Sequence, residues 1–261
     1  MKKIGVLIIA LLLTFTLAGC GGGEKNTETA EGNTLIVGFD QNFPPMGFVG
    51  EDGEFTGFDI ELAKLAAEKM GMDIKLQPVN WDSKDAELET GNINCIWNGF
   101  TMTGREGQYN FSKPYMKNRQ VLVVLEDSEY QNLSDLAGKR VELQQESTSD
   151  NALEANKEFK DSLGEVTRVG ENMTALNDLE VKACDAVLMD EIVARYNISQ
   201  GRKFRVIEEA LSEEDYAVGF KLGDDELTAK VDKALQELND ENKLQELSIK
   251  YFAEDIITLG E

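Results

Sequence analysis

The feature that most constrains this chain is an alternation, from residue 34 onward, between short β-rich apolar runs and stretches with helical apolar spacing. Leu35 to Phe39, Ile74 to Leu76, Ile93 to Trp97, Gln120 to Leu125, Arg140 to Leu143, Ala186 to Met189 and Tyr216 to Phe220 read as strands. A helix is predicted from the cap Asp59, through apolar Ile60, Ala63, Ala67 and Met70, to a stop at Gly71. Further helices are predicted over 82–90, from about Ser149 to Phe159, and from Glu191 to Tyr196. Leu227, Val231, Leu235, Leu238, Leu244 and Leu247 mark a helical tail from Asp224 to Phe252. Such an alternation predicts an α/β fold with mainly parallel sheets. At 261 residues the chain accommodates one large domain or two small ones.

The start of the chain stands outside this pattern. Met1-Lys2-Lys3 is basic, and Ile4 to Leu17 is an almost unbroken apolar run. That run is short for a membrane-spanning helix, which needs ~20 residues, but suits the apolar region of an export signal. It ends in Leu17-Ala18-Gly19-Cys20, which resembles the lipobox of bacterial lipoproteins. The resemblance implies a signal peptide over residues 1–19, lipidation of Cys20 and firm anchoring at the outer face of the cell membrane. The alternative is an ordinary signal peptide with an incidental cysteine. Residues 20–33, small and polar without apolar period, read as a flexible tether.

Charge and composition exclude several functions. The formal charge is -23, and removing residues 1–19 deletes Lys2 and Lys3 and no acid, taking it to -25. So acidic a body argues against nucleic acid or anionic lipid as a binding surface. The chain contains no histidine, which rules out an imidazole base or a histidine metal ligand. No metal-ligand spacing, phosphate loop or nucleophile elbow is present, so neither a cofactor nor a metal is expected.

Three stretches together carry a family resemblance. The first is Val37-Gly-Phe-Asp-Gln-Asn-Phe-Pro-Pro-Met-Gly-Phe48 with Gly57-Phe-Asp-Ile-Glu-Leu62. The second is Gly91-Asn-Ile-Asn-Cys-Ile-Trp-Asn-Gly-Phe-Thr-Met-Thr-Gly-Arg105, followed by Asn110-Phe-Ser-Lys-Pro-Tyr115. The third is Gly138-Lys-Arg-Val-Glu-Leu143 with Asp185-Ala-Val-Leu-Met-Asp190. In this order and spacing, residues 34–252 resemble the amino-acid-binding solute-binding proteins (family 3) of ABC importers. The resemblance implies two α/β lobes of the periplasmic-binding-protein kind, joined by two crossing strands around a ligand cleft. Lobe one would be about 34–118 plus 218–261, and lobe two about 119–217. It also implies a monomer that works with ABC permease subunits. Cys95 and Cys184 then fall in different lobes, where a disulfide would staple the hinge, so two free buried thiols are expected.

The same resemblance assigns a site. Arg105 would clamp the ligand carboxylate, since a guanidinium fork matches it, helped by Thr101 and Thr103. The turn before a helix at Ser147 and Thr148 would offer free N–H groups to that carboxylate. Asp190 would bind the α-ammonium with the carbonyl of Asn98 or Gly99, although an aspartate there also suits a helix N-cap. Phe43 and Trp81 would wall the ligand side chain, the alternative being simple core. Asp40 would read the far end of that side chain and favour a polar or basic amino acid. Two departures stand out: Thr-Gly-Arg lacks one residue between Thr103 and Arg105, and Glu146 stands where relatives commonly carry glycine.

Two other readings use the same fold. A cyclohexadienyl-dehydratase-like enzyme needs a positioned acid, for which Asp40 or Asp82 is available. A sensory amino-acid receptor would look the same in sequence.

Overall fold

The computed structural model describes residues 33–260. The expected signal peptide, Cys20 and the tether as far as Gly32 lie outside the described residues. Two five-stranded sheets form the body. In spatial order the first contains Asp73–Pro78, Thr34–Phe39, Cys95–Ile96, Gly219–Lys221 and Tyr109–Phe111. The second contains Glu165–Val169, Arg140–Gln144, Ala186–Asp190, Met116–Leu125 and Phe204–Tyr216. A three-stranded antiparallel ribbon, Asn42–Phe43, Gly47–Val49 and Phe55–Thr56, supplements them. The result is the expected two-lobed α/β architecture.

The sheets are mixed, which corrects the expectation of mainly parallel ones. In each, one run of three strands is parallel and the remaining pairs are antiparallel. The cause is the route of the chain. It leaves the first sheet along Met116–Leu125 and returns along Phe204–Tyr216, with Leu125 opposite Phe204 and Met116 opposite Tyr216. An outward and a returning crossing side by side must run antiparallel. Bridges from Tyr216 to Thr101 and from Met116 to Ile257 tie the crossing point to the first lobe.

The apolar run at 120–125 follows from burial on both faces. Val121 and Val123 pack into one core cluster and Leu122 and Val124 into another, all fully buried. Each such side chain contributes roughly 1.5–3 kcal/mol of transfer free energy. Cys95 and Cys184 are free and buried.

The first helix, Phe58–Met70, ends as expected at a left-handed Gly71, but Asp59 does not cap it. Gly57 takes the cap position at φ 127, where a Cβ would lie 2.4 Å from the Met46 carbonyl oxygen. Asp59 falls in the first turn, wholly buried, accepting hydrogen bonds from the Gly99 N–H and the Tyr115 hydroxyl. Residues 82–90 form a 3-10 turn, Trp81–Ser83, then the helix Lys84–Thr90. The helix expected over 149–159 breaks at Asn156 into Thr148–Ala155 and Lys157–Ser162. The tail breaks at Asn242 (φ 60) into Asp225–Asp240 and Lys243–Phe252.

Candidate ligand-binding site

The carboxyl ends of the central strands of both sheets meet at one cleft, as open α/β sheets place their ligands. Asp40 follows Thr34–Phe39, and Asn98, Gly99 and Thr101 follow Cys95–Ile96. From the other lobe, Gln144 and Asp190 end their strands, and Ser147 and Thr148 open a helix. A small cavity between them is lined by Asp40, Phe43, Trp81, Asn98, Gly99, Thr101, Arg105, Gln144, Ser147, Thr148 and Asp190. Every residue proposed from the sequence is in that lining except Thr103. The Thr103 hydroxyl instead accepts from the Asp215 N–H at 3.1 Å, and its side chain is exposed on a separate cleft. Thr-Gly-Arg turns Thr103 outward while Arg105 turns in.

Arg105 is only 7% exposed. Its guanidinium lies over the Phe100 ring at 4.9 Å and donates to the Thr101 carbonyl at 3.4 Å. Among the described residues it forms no ion pair. Burial holds its pKa below the ordinary guanidinium value, opposed by the charges of Tyr109, Glu214, Asp85 and Asp190. A buried guanidinium with spare donors can pair with an anion. Thr101 and Thr148 face each other across the cleft, hydroxyl to hydroxyl at 3.4 Å. The Ser147 hydroxyl is occupied in the turn, donating to the Gln144 carbonyl at 2.7 Å and accepting from the Asp150 N–H at 3.3 Å. Glu146 stands at φ 55, the left-handed conformation that explains why glycine suits this position.

Asp190 supplies the opposite charge. It begins the helix Glu191–Ser199 but makes no side-chain cap bond, so capping is not its role. Its Oδ1 accepts from Asn118 Nδ2 at 2.7 Å, Gln120 Nε2 at 3.0 Å and the Tyr216 hydroxyl at 2.6 Å. All three partners are neutral. Burial, then the nearby Glu214 carboxylate, raises its pKa well above the carboxylate range. A cation near Asp190 would relieve both effects.

The side-chain end of the cavity is aromatic and acidic. Phe43 and Trp81 wall it, and both are buried. Asp40 is 5% exposed, with its pKa raised chiefly by burial. Its carboxylate accepts from the Asn42 N–H at 2.8 Å and from Gln144 Nε2 at 3.0 Å. Asn98 accepts from the Asp40 N–H at 2.8 Å, while its buried Nδ2 has no hydrogen-bond partner among the described residues. Beyond Asp40 and Trp81 lies an outer cleft of about 430 Å³ that also presents Asp82, Glu87 and Glu171.

Sequence reasoning missed three residues. Gln144 reaches across the cleft to Asp40. Lys84 is 3% exposed, lies over the Trp81 ring at 5.4 Å and donates to the Glu146 carbonyl at 3.2 Å. Its pKa is lowered, first by burial. Glu214 stands behind Asp190, 6% exposed. For Gln144 the signal was its place at the end of a strand. Lys84 sits in an ordinary polar helix sequence and Glu214 in an acidic run, and neither offers a local signal.

A two-lobed α/β body with a cation and an anion facing one small interlobe cavity defines a solute-binding receptor. The chain belongs to the bacterial extracellular solute-binding proteins, family 3, whose model matches residues 35–254. It is 29% identical to an L-cystine-binding protein of Escherichia coli, over 97% of this chain and 95% of that one. It is 33% identical to an arginine-binding extracellular protein of Bacillus subtilis, over 97% and 98%. Among solved structures, an ABC uptake transporter substrate-binding protein of Streptococcus pneumoniae with bound histidine superposes with a TM-score of 0.83. That pair shares 38% identity and covers 86% of this chain and 94% of the other. These relatives are amino-acid-binding proteins, and the family is one of binding proteins rather than enzymes.

Proposed function

We propose that this protein captures a free amino acid outside the cytoplasm, closes on it and delivers it to an ABC importer, tethered by lipid at Cys20. The observation that carries the reading is that Arg105 and Asp190, both buried and neither in an ion pair among the described residues, line one cavity. A zwitterionic α-amino acid answers both, its carboxylate to Arg105, Thr101 and the N–H groups at Ser147 and Thr148, its ammonium to Asp190. Lobe one would be 34–118 plus 218–261 and lobe two 119–217, rocking about the two crossing strands. Asp40 and the acidic outer cleft favour a polar or basic side chain between Phe43 and Trp81. Arginine, histidine and cystine, named for the relatives, fit that preference.

A thermal-shift screen against the twenty amino acids and cystine tests this. A ligand at ~100 times its Kd adds about 2.7 kcal/mol to the folded state. A clear rise in Tm is expected with a basic or polar amino acid and little with aspartate or glutamate. A flat profile across the whole set contradicts the reading.

A further inference from the structure

Asp190 does not stand alone. Glu214 Oε1 accepts from Asn118 Nδ2 at 2.5 Å and from Gln120 Nε2 at 2.6 Å, the same two amide groups that bond Asp190 Oδ1. The two carboxyl groups are thus brought side by side by the donors they share. Asp190 is 5% exposed and Glu214 6%. Two carboxylates that share the same two amide donors and are removed from water repel each other, and a proton held between them relieves that repulsion.

We propose that Asp190 and Glu214 hold one shared proton in the ligand-free protein, and that the ligand's ammonium displaces it to solvent. The inference rests on the zwitterion reading above. The balance is simple: one positive charge enters as ammonium and one leaves as a proton, while the ligand carboxylate pairs with Arg105. Glu214 acts through Asp190 and is a positioning residue. It also lines a second cleft of about 350 Å³ with Arg105 and Ser212, which gives the proton a way out.

The charged and titratable groups around the pair do not supply that proton between about pH 5 and 7. Tyr216 donates its hydroxyl to Asp190, and burial raises its pKa. Arg105 keeps its charge, and Arg119 and Glu191 on the neighbouring elements pair with one another. Asp40 and Asp59 also have raised values, so the informative quantity is the difference between wild type and a Glu214 variant.

The test is calorimetric titration with L-arginine near pH 6, in two buffers of different ionisation enthalpy, on wild type and E214Q. The glutamine keeps the size and removes the second carboxylate. Wild type should release more protons than the variant, whose Asp190 pKa is raised by burial alone, and its affinity should rise by up to about tenfold per pH unit between pH 5 and 7, more steeply than the variant's. Binding with equal proton counts in the two proteins overturns the proposal. Side-chain carboxyl 13C shifts of the ligand-free wild type give a second readout, independent of any ligand. They should show the pair carrying one proton at pH 6; both groups ionised there overturns the proposal even if E214Q does not fold. Failure of all twenty amino acids to bind, with the shared proton still seen, would instead overturn the amino-acid reading and the exchange that depends on it.

Discussion

At the scale of single residues, the candidate site is a set of ionisable groups, Arg105, Asp190 and Asp40, that are buried and form no ion pair among the described residues. Arg105→Ala should weaken amino-acid binding by about 3–5 kcal/mol, a hundredfold or more, because the ligand carboxylate then enters a buried site unpaired. Titration of the variant checks this, and unchanged affinity would remove Arg105 from the site. Asp59 tests burial from another side. Its pKa is raised to about 7, first by desolvation, against ~3.9 in an unfolded chain. The folded state therefore holds the proton more tightly, and this group's contribution to stability declines as pH rises from about 4 to about 7. Asp59→Asn keeps an acceptor for the Gly99 N–H, and its amide nitrogen can donate to the Tyr115 oxygen, reversing the bond in which the Tyr115 hydroxyl donates to the carboxylate. At pH 8 it should be more stable than wild type by on the order of 2–4 kcal/mol, with a smaller difference at pH 4 in thermal unfolding. Arg105, Asp190 and Asp40 were legible because each follows a strand in a recognisable motif. Gln144 and Glu214 act through partners distant in sequence, Asp40 at 104 residues and Gln120 at 94, which no local pattern reports.

At the scale of elements, the buried strands were legible, and so was the edge strand Asp73–Pro78 through Ile74 to Leu76, but both edge strands of the second sheet were not. Ala186–Asp190 is buried at every position and reads as a strand directly. Phe204–Tyr216 carries a run of acids, is exposed along part of its length and shifts register near Ala210, so it shows neither alternation nor an apolar run. Glu165–Val169 is likewise an edge strand with no fully buried residue, and it escaped for the same reason. The turn at Glu146 carries a prediction of its own. A side chain at φ 55 costs roughly 1 kcal/mol that glycine avoids. Glu146→Gly should therefore raise Tm by a few degrees while the carbonyl still accepts from Lys84. A lowered Tm would mean that the Glu146 side chain itself stabilises the turn.

At the scale of the molecule, polar contacts join the lobes across the cleft, among them the Thr101 and Thr148 hydroxyls at 3.4 Å. Gln144 reaches Asp40, Gln145 reaches Asp82 at 3.1 Å, and Lys84 reaches the Glu146 carbonyl. Each such bond is worth on the order of 1 kcal/mol net. On the proposed reading, a zwitterion would add to these contacts by joining Arg105 and Thr101 on one side of the cleft to Asp190 and Thr148 on the other. The alternation of strands and helices announced the α/β fold and the family resemblance the two lobes, while the contacts across the cleft join residues far apart in sequence, which no local pattern reports. Isothermal titration of the intact protein with the twenty free amino acids tests the central claim most directly. The account predicts one molecule bound per chain, basic or polar, with a Kd well below 1 mM, about -4 kcal/mol. No amino acid binding more tightly than about 1 mM would contradict it.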